Sequence, residues 1–236
     1  MSKRNKYSKE GIRRQSRSYS TVWIFPEGSE DEVNYFIPFE FISSRIKVEI
    51  DNNVNKEKKD TRSALKWIKH RYEQVYKKID RTVGDSVWFV IDVDKKKWID
   101  IDNFHEGFIN EQNTHVIISN PCFVVWLLYH YGVNPDFTKL CEPLKIQFRS
   151  IMKENNYPLY YLPRINDAEQ LAKEYDPNPS DYFPNTDSAC YSKVYRLIEH
   201  IKANSTTEEF TVFLEKTLPK KLAEYRQKNT SKNSGN

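Results

Sequence analysis

The chain has 236 residues, a formal net charge of +4, 38% hydrophobic and 14% aromatic residues, which is enough apolar volume for a packed core and too much for a disordered chain. The longest apolar run, Cys122 to Tyr129, has eight residues, far short of the roughly 20 that span a bilayer, so no membrane association through a spanning helix is expected. With six glycines the chain has no Walker-type or GxGxxG loop, which excludes an ATPase site of its own.

The charge is unevenly placed. Residues 1–20 carry seven Lys/Arg, Arg13 and Arg14 among them, against Glu10, and residues 216–236 carry six against Glu224, which leaves the middle near −7. Basic arms on an acidic body suit phosphate contact at the ends and cation binding in the middle, although solvated tails have the same composition. The basic N-terminal stretch is not followed by a signal-type apolar segment, so a cytoplasmic protein is expected. Cys122, Cys141 and Cys190 show no paired metal-ligand spacing, and reduced thiols are the simple reading.

Residues 1–19 lack periodicity and read as a flexible arm. Thr21–Phe25 is a β-branched and aromatic run of buried-strand type, stopped by Pro26. Ser29 with Glu32 has the form of a capping box opening a helix that carries Val33, Tyr35 and Phe36. A second, more exposed strand covers Arg45–Ile50, followed by a charged loop over 52–60. Asp60 is placed to cap the clearest helix. Its apolar stripe is Leu65, Ile68, Tyr72, Val75 and Ile79, and Lys66, Lys69 and Arg71 fall outside it.

Gly84-Asp85 leads into the apolar strand Val87–Ile91, which ends in Asp92-Val-Asp94. A short helix over 102–111, the strand His115–Ile118 and a helix over Cys122–Tyr131, with Pro121 at its first position, complete an alternating βα order. That order predicts an α/β fold, a mostly parallel sheet flanked by helices. Beyond it, 137–155 reads as helix, 156–164 as a Pro- and Tyr-rich segment, 176–184 as a loop, and 187–203 and 206–228 as two closing helices. The expected organisation is a flexible arm (1–19), a core (20–135), a helical C-terminal region (136–228) and a flexible tail (229–236). Tyr157, Tyr160, Tyr161, Tyr182 and Phe183 either form a surface for a partner or a second copy, or pack against the sheet.

Chemistry is expected where acids follow strands, because open α/β sheets bind ligands at the carboxyl ends of their strands. Glu27 follows the first strand, and Asp92 and Asp94 follow the third. The i, i+2 spacing of the two aspartates puts both on one side while the chain stays extended. Clustered carboxylates repel unless a cation or proton shares the site. Mg²⁺ (or Mn²⁺) takes a few carboxylates with waters and phosphate oxygens. Glu32 reads as a further ligand or as the capping residue, with the cap preferred. Lys95, Lys96 and Lys97 offer phosphate contacts or a solvated loop. No histidine lies in an HExxH or HxH pattern, and His130 reads as a hydrogen-bonded structural residue rather than a ligand. A sugar transferase or a haloacid-dehalogenase-type phosphatase also uses paired aspartates, and the surrounding residues fit either poorly.

Phe25-Pro-Glu-Gly28, Glu32–Phe36, Phe89–Asp94 and above all Ile118-Ser-Asn-Pro-Cys-Phe-Val-Val-Trp-Leu-Leu-Tyr-His-Tyr131 resemble the RloB-like family, with a weaker echo at Lys193–Ile198. These are Toprim-type proteins found beside an ATPase in bacterial defence and restriction loci. The resemblance covers about residues 20–205. It implies a Toprim-like sheet, Glu27 as acid/base, Asp92 and Asp94 as Mg²⁺ ligands, and Asn120, Pro121, Trp126 and His130 as supporting motif. It further implies metal-dependent cleavage of DNA or RNA with an RloA-type ATPase partner in antiviral defence. Val124 stands where the family pattern has glutamate. The alternative reading is therefore a catalytically weakened Toprim module that contacts nucleic acid or the ATPase.

Overall fold

The computed structural model describes residues 17–28, 30–43, 45–51, 64–94, 98–135, 140–152, 161–183 and 190–224. Strands β1 (Ser20–Pro26), β2 (Ile46–Ile50), β3 (Ser86–Asp92), β4 (Thr114–Asn120) and β5 (Tyr191–Ser192) form one sheet in the order β2-β1-β3-β4-β5. All pairs are parallel except β4 with β5. The alternating βα order accounts for the parallel part, since each crossover needs a helix to return the chain to the same edge. From β1 the chain passes outward to β2 and then back across to β3, so the strand order reverses between β1 and β3. In an open sheet that reversal opens a crevice at the strand ends.

Helices cover both faces. Alternate residues of the central strands point to opposite sides. Val22, Ile24, Trp88, Val90 and Ile117 enter one core with helices α1 (Asp31–Phe36), α4 (Val124–Tyr129), α5 (Cys141–Met152), α6 (Ile165–Glu174), α7 (Val194–Asn204) and α8 (Thr207–Val212). Phe25, Val87, Phe89, Ile91, Val116 and Ile118 enter the other with α2 (Ala64–Val75) and α3 (Trp98–Glu106). The helices beyond residue 135 thus share the core of the sheet: Leu144, Ala168, Leu197 and Phe213 pack on it. Among the described residues no helix is long and apolar enough to cross a membrane.

Several local expectations are corrected. The first helix starts at Asp31 behind Glu30 with no side-chain cap; the expected caps Ser29 and Asp60 lie outside the described residues. A capping box does occur later, where Thr206 and Glu209 open α8. Arg71, expected on the solvent side of α2, is buried because its Nε meets Asp51 at 2.5 Å. Helix α2 stops at Val75 and a short 3-10 turn follows, although Ile79 still packs with the rest of the expected stripe. Helix α3 begins four residues earlier than expected.

Pro121 does not open a helix. Its peptide bond with Asn120 is cis, and α4 begins only at Val124. The stretch over 187–203 divides into β5 and α7, because Tyr191 and Ser192 pair with Asn120 and Ser119. Helix α6 was not foreseen; it buries Ile165, Ala168, Glu169 and Ala172. Cys122 and Cys141 are joined by a disulfide with Cα atoms 5.7 Å apart, contrary to the expectation of reduced thiols. Of the aromatic group beyond residue 156, Tyr161 and Phe183 pack inward, one into each core. Tyr182 stays partly exposed, stacked on His115. Tyr157 and Tyr160 lie outside the described residues.

Candidate active site

The parallel register sets Phe25 beside Phe89 and Pro26 beside Val90, so the next residues of the two strands emerge together at the crevice. The Glu27 backbone N–H donates to the Val90 carbonyl at 2.9 Å, which carries the ladder one step past the end of β1. The Glu27 carboxylate then accepts from the Asp92 backbone N–H at 3.1 Å. Two acids separated by 65 residues of chain are thereby brought to one point.

The motif after β4 secures Asp92. Its Oδ1 accepts from the Phe123 N–H at 2.8 Å. The Val93 N–H donates to Ser119 and the Asp94 N–H to Pro121, at 3.0 and 2.7 Å. Ser119–Phe123 therefore grips the end of β3 through backbone groups, and Asn120, itself buried, is the ladder partner of Tyr191 in β5.

Asp94 departs from expectation. The strand ends at Asp92, Val93 is buried, and Asp94 sits exposed with φ 32°, in the left-handed region that aspartate tolerates better than most residues. Same-side placement at i and i+2 is a property of extended backbone, and the backbone has left the strand before Asp94.

Glu32 comes to the site instead. A cavity of about 300 Å³ is lined by Gly28, Glu30, Asp31, Glu32, Asp92, Cys122, Phe123, Val124 and Lys145. Glu32 is buried beneath Gly28, and a Cβ at position 28 would collide with its carboxylate, so the close approach requires glycine. Burial, with the charges of Asp31 and Glu27, pushes the Glu32 carboxyl up to about 7, while Lys145 opposes the shift. Asp31 is raised in the same direction by burial. Val124 forms part of the wall of this cavity and is itself buried in the adjoining core.

A second cavity, of about 640 Å³, contains Glu27 with Ala64, Leu65, Lys66 and Lys69 of α2 and Asp100, Asn103, Phe104, Gly107 and Phe108 of the α3 region. The elements lining the first cavity pack on one face of the sheet and those lining the second on the other. Glu27 thus stands on the ridge between an acidic hollow and a charge-balanced, aromatic one. Lys66 and Lys69 were legible only as solvent-side lysines, and Lys145 carried no motif signal. Lys95, Lys96, Lys97, Arg13 and Arg14 lie outside the described residues.

His130 and Trp126 are structural. Both are buried, and the His130 ring lies between the Trp126 carbonyl (3.0 Å) and the Tyr35 hydroxyl (3.2 Å). Burial holds the imidazole down to about 3, so it is neutral: Nδ1–H donates to Trp126 and Nε2 accepts from Tyr35.

The donors around Asp92 suit a hard divalent cation in kind, being carboxylates whose mutual repulsion Lys145 only partly offsets. Their convergence is incomplete. Among the described residues no three His, Cys, Asp or Glu side chains stand as a group able to hold one ion.

Fold and site together define a class: an α/β protein with a mostly parallel sheet whose acids meet at the reversal between its first and third strands. The chain belongs to the RloB-like family, whose model, described as RloB-like protein, matches residues 22–201. Neither the curated proteins nor the solved structures compared with the chain gave a match.

Proposed function

We propose that this protein is a Mg²⁺- or Mn²⁺-dependent hydrolase of phosphodiester bonds in DNA or RNA. The observation that carries the reading is the Glu27–Asp92 contact at the crevice, with Glu32 and Asp31 beside it. When bound, a divalent ion would neutralise phosphodiester charge and polarise a water, with Asp92 and Glu32 as its principal holders and Asp31 nearby. Glu27, fixed by the Asp92 N–H, stands where it can accept a proton from the attacking water or return one to the leaving oxygen. The Phe123 N–H keeps the Asp92 carboxylate oriented, and Lys66 and Lys69 face incoming phosphates. Asp94, exposed on its turn, is a peripheral acid in this reading.

Family membership supports the remaining parts of the proposal: cooperation with an RloA-type ATPase, a cytoplasmic setting and a role in defence against phage. The test uses the purified chain, alone and with the ATPase, against DNA and RNA in Mg²⁺ or Mn²⁺, alongside metal-induced shifts in melting temperature. Cleavage and thermal shift are both expected, and both should vanish in Asp92→Ala. No cleavage with any metal, or cleavage unchanged in that variant, refutes the hydrolase.

A second reading is favoured by Val124 on the cavity wall and by the incomplete gathering of acids. It is a non-hydrolytic binding or assembly module. Nucleic-acid binding that persists in Asp92→Ala, with no cleavage under any condition, selects it.

A further inference from the structure

The larger cavity has a composition that the hydrolytic chemistry does not require. Phe104 and Phe108 form its floor, their ring centroids 5.0 Å apart. Both are nearly buried, at 8% and 3% exposure, because Phe89 and Tyr72 pack around them. The floor is therefore preformed. Lys66 and Lys69, three residues apart on α2, share one helix face, and the Lys69 ammonium lies 6.0 Å from the Phe108 ring centre. Asn103 adds an amide donor and acceptor to the lining, and Asp100 adds an acceptor. The volume falls within the roughly 300–1,000 Å³ typical of small-ligand sites.

We propose that this hollow receives one unpaired nucleobase of a single-stranded nucleic acid, whose phosphates lie along Lys66 and Lys69 and cross the ridge at Glu27. An apolar aromatic floor suits the face of a base, the asparagine carboxamide suits its polar edge, and the two ammonium groups suit the flanking phosphates. A base inside a duplex is stacked on both faces and does not present itself to such a hollow without being turned out. The acidic cavity lies over the ridge on the opposite face, so the strand would run from the aromatic hollow, past Lys66 and Lys69, towards Asp92. The proposal assigns a substrate class to the hydrolytic site and in that respect rests on the preceding reading. Binding itself requires neither metal nor turnover.

The test measures fluorescence anisotropy of labelled 12-nucleotide DNA and RNA single strands, the matching duplexes, and an abasic strand of equal length, with the full chain in EDTA. Intact single strands of at least one sugar type are expected to bind about tenfold more tightly than duplex and than the abasic strand. Asn103 is exposed, so Asn103→Trp fills the hollow from its rim; it should cost about tenfold in single-strand affinity with an unchanged melting temperature. The double variant Lys66→Ala/Lys69→Ala should flatten the salt dependence of single-strand binding by about 1.4 in slope.

Duplex or abasic strand bound as tightly as intact strand, no binding of any strand, or single-strand affinity unaffected by Asn103→Trp each overturn the proposal. Since all arms are free of divalent metal, loss of the hydrolase reading leaves these outcomes unchanged. The DNA and RNA arms separate the two possible sources of the base.

Discussion

The two ends of β3 carry an aspartate each, and their surroundings are opposite. Asp85 precedes the strand, is fully buried, and is met by donors on every side: Arg17 at 2.7 Å, the Thr21 N–H at 2.8 Å, the Asp80 N–H at 2.9 Å and the Trp23 indole at 3.4 Å. Asp92, six residues on from Ser86 along the same strand, has Glu27 as its neighbour and shares a cavity with Asp31 and Glu32. One acid is compensated by the protein itself and ties the N-terminal segment to the sheet. The other accepts from the Phe123 N–H and shares its cavity with further carboxylates and Lys145, a crowding of like charge that a bound cation would relieve. The contrast separates an architectural carboxylate from a functional one although the residue type and the strand are the same.

The largest expected effect tests that separation directly. Asp85→Ala should lose about 3–5 kcal/mol in urea unfolding, because it leaves a cation and two buried N–H groups without their acceptor. Asp92→Ala should stay within about 1 kcal/mol of the parent while losing the response to divalent metal. Comparable losses of stability in both variants would erase the distinction.

The disulfide comes next. It joins the turn before α4 to the start of α5, the helix that brings Lys145 to the acidic cavity. Cys141→Ser should cost about 2–4 kcal/mol in oxidised protein and nothing in reductant.

Glu32 gives a smaller effect with a defined pH window. Its carboxyl is raised from 4.5 to about 7, so between those values the unfolded chain has lost its proton and the folded chain has not. Folding stability therefore declines as pH rises from about 4.5 to about 7, and the penalty is fully present above that range. Glu32→Gln should raise stability by about 1–3 kcal/mol at pH 8, since Asp31 and Glu27 share the repulsion, and should give no gain at pH 4. Urea unfolding at both pH values checks it; an equal effect at the two would mean that the Glu32 carboxyl is not raised in the folded chain.

The smallest effect is at Val124. Val124→Glu adds a carboxylate to the cavity wall and should tighten Mn²⁺ binding about tenfold, or about 1.4 kcal/mol, by calorimetry. Unchanged affinity would show that position 124 does not serve the site.

Much of this contrast was legible in the chain. The apolar runs at 21–25 and 87–91 are consecutive buried residues with β-branched and aromatic side chains, and they became β1 and β3 with Glu27 and Asp92 at their ends. The Ser119–Phe123 segment stood out as a motif, and its backbone grips Asp92. The surroundings of Asp94 and Glu32 were less legible, for one reason. Spacing rules assume a regular backbone, and here the strand stops at Asp92 while α1 begins two residues later than its apparent cap. Helix α6 escaped notice because its buried positions include two alanines and a glutamate, which carry little hydrophobic signal.

By itself the sequence determined the first four strands, the mostly parallel character of their sheet and the acids Glu27 and Asp92 at two strand ends, because apolar runs and alternating elements are local properties that dictate what each segment must bury. Only the tertiary structure decided that Glu32, Lys145 and Val124 would line one cavity with Asp92, and that Lys66 and Lys69 would line a second with Glu27 on the other face of the sheet. Those neighbours come from separate helices packed on two faces, and their meeting depends on how the faces close on the sheet edge, a relation that no residue spacing along the chain encodes.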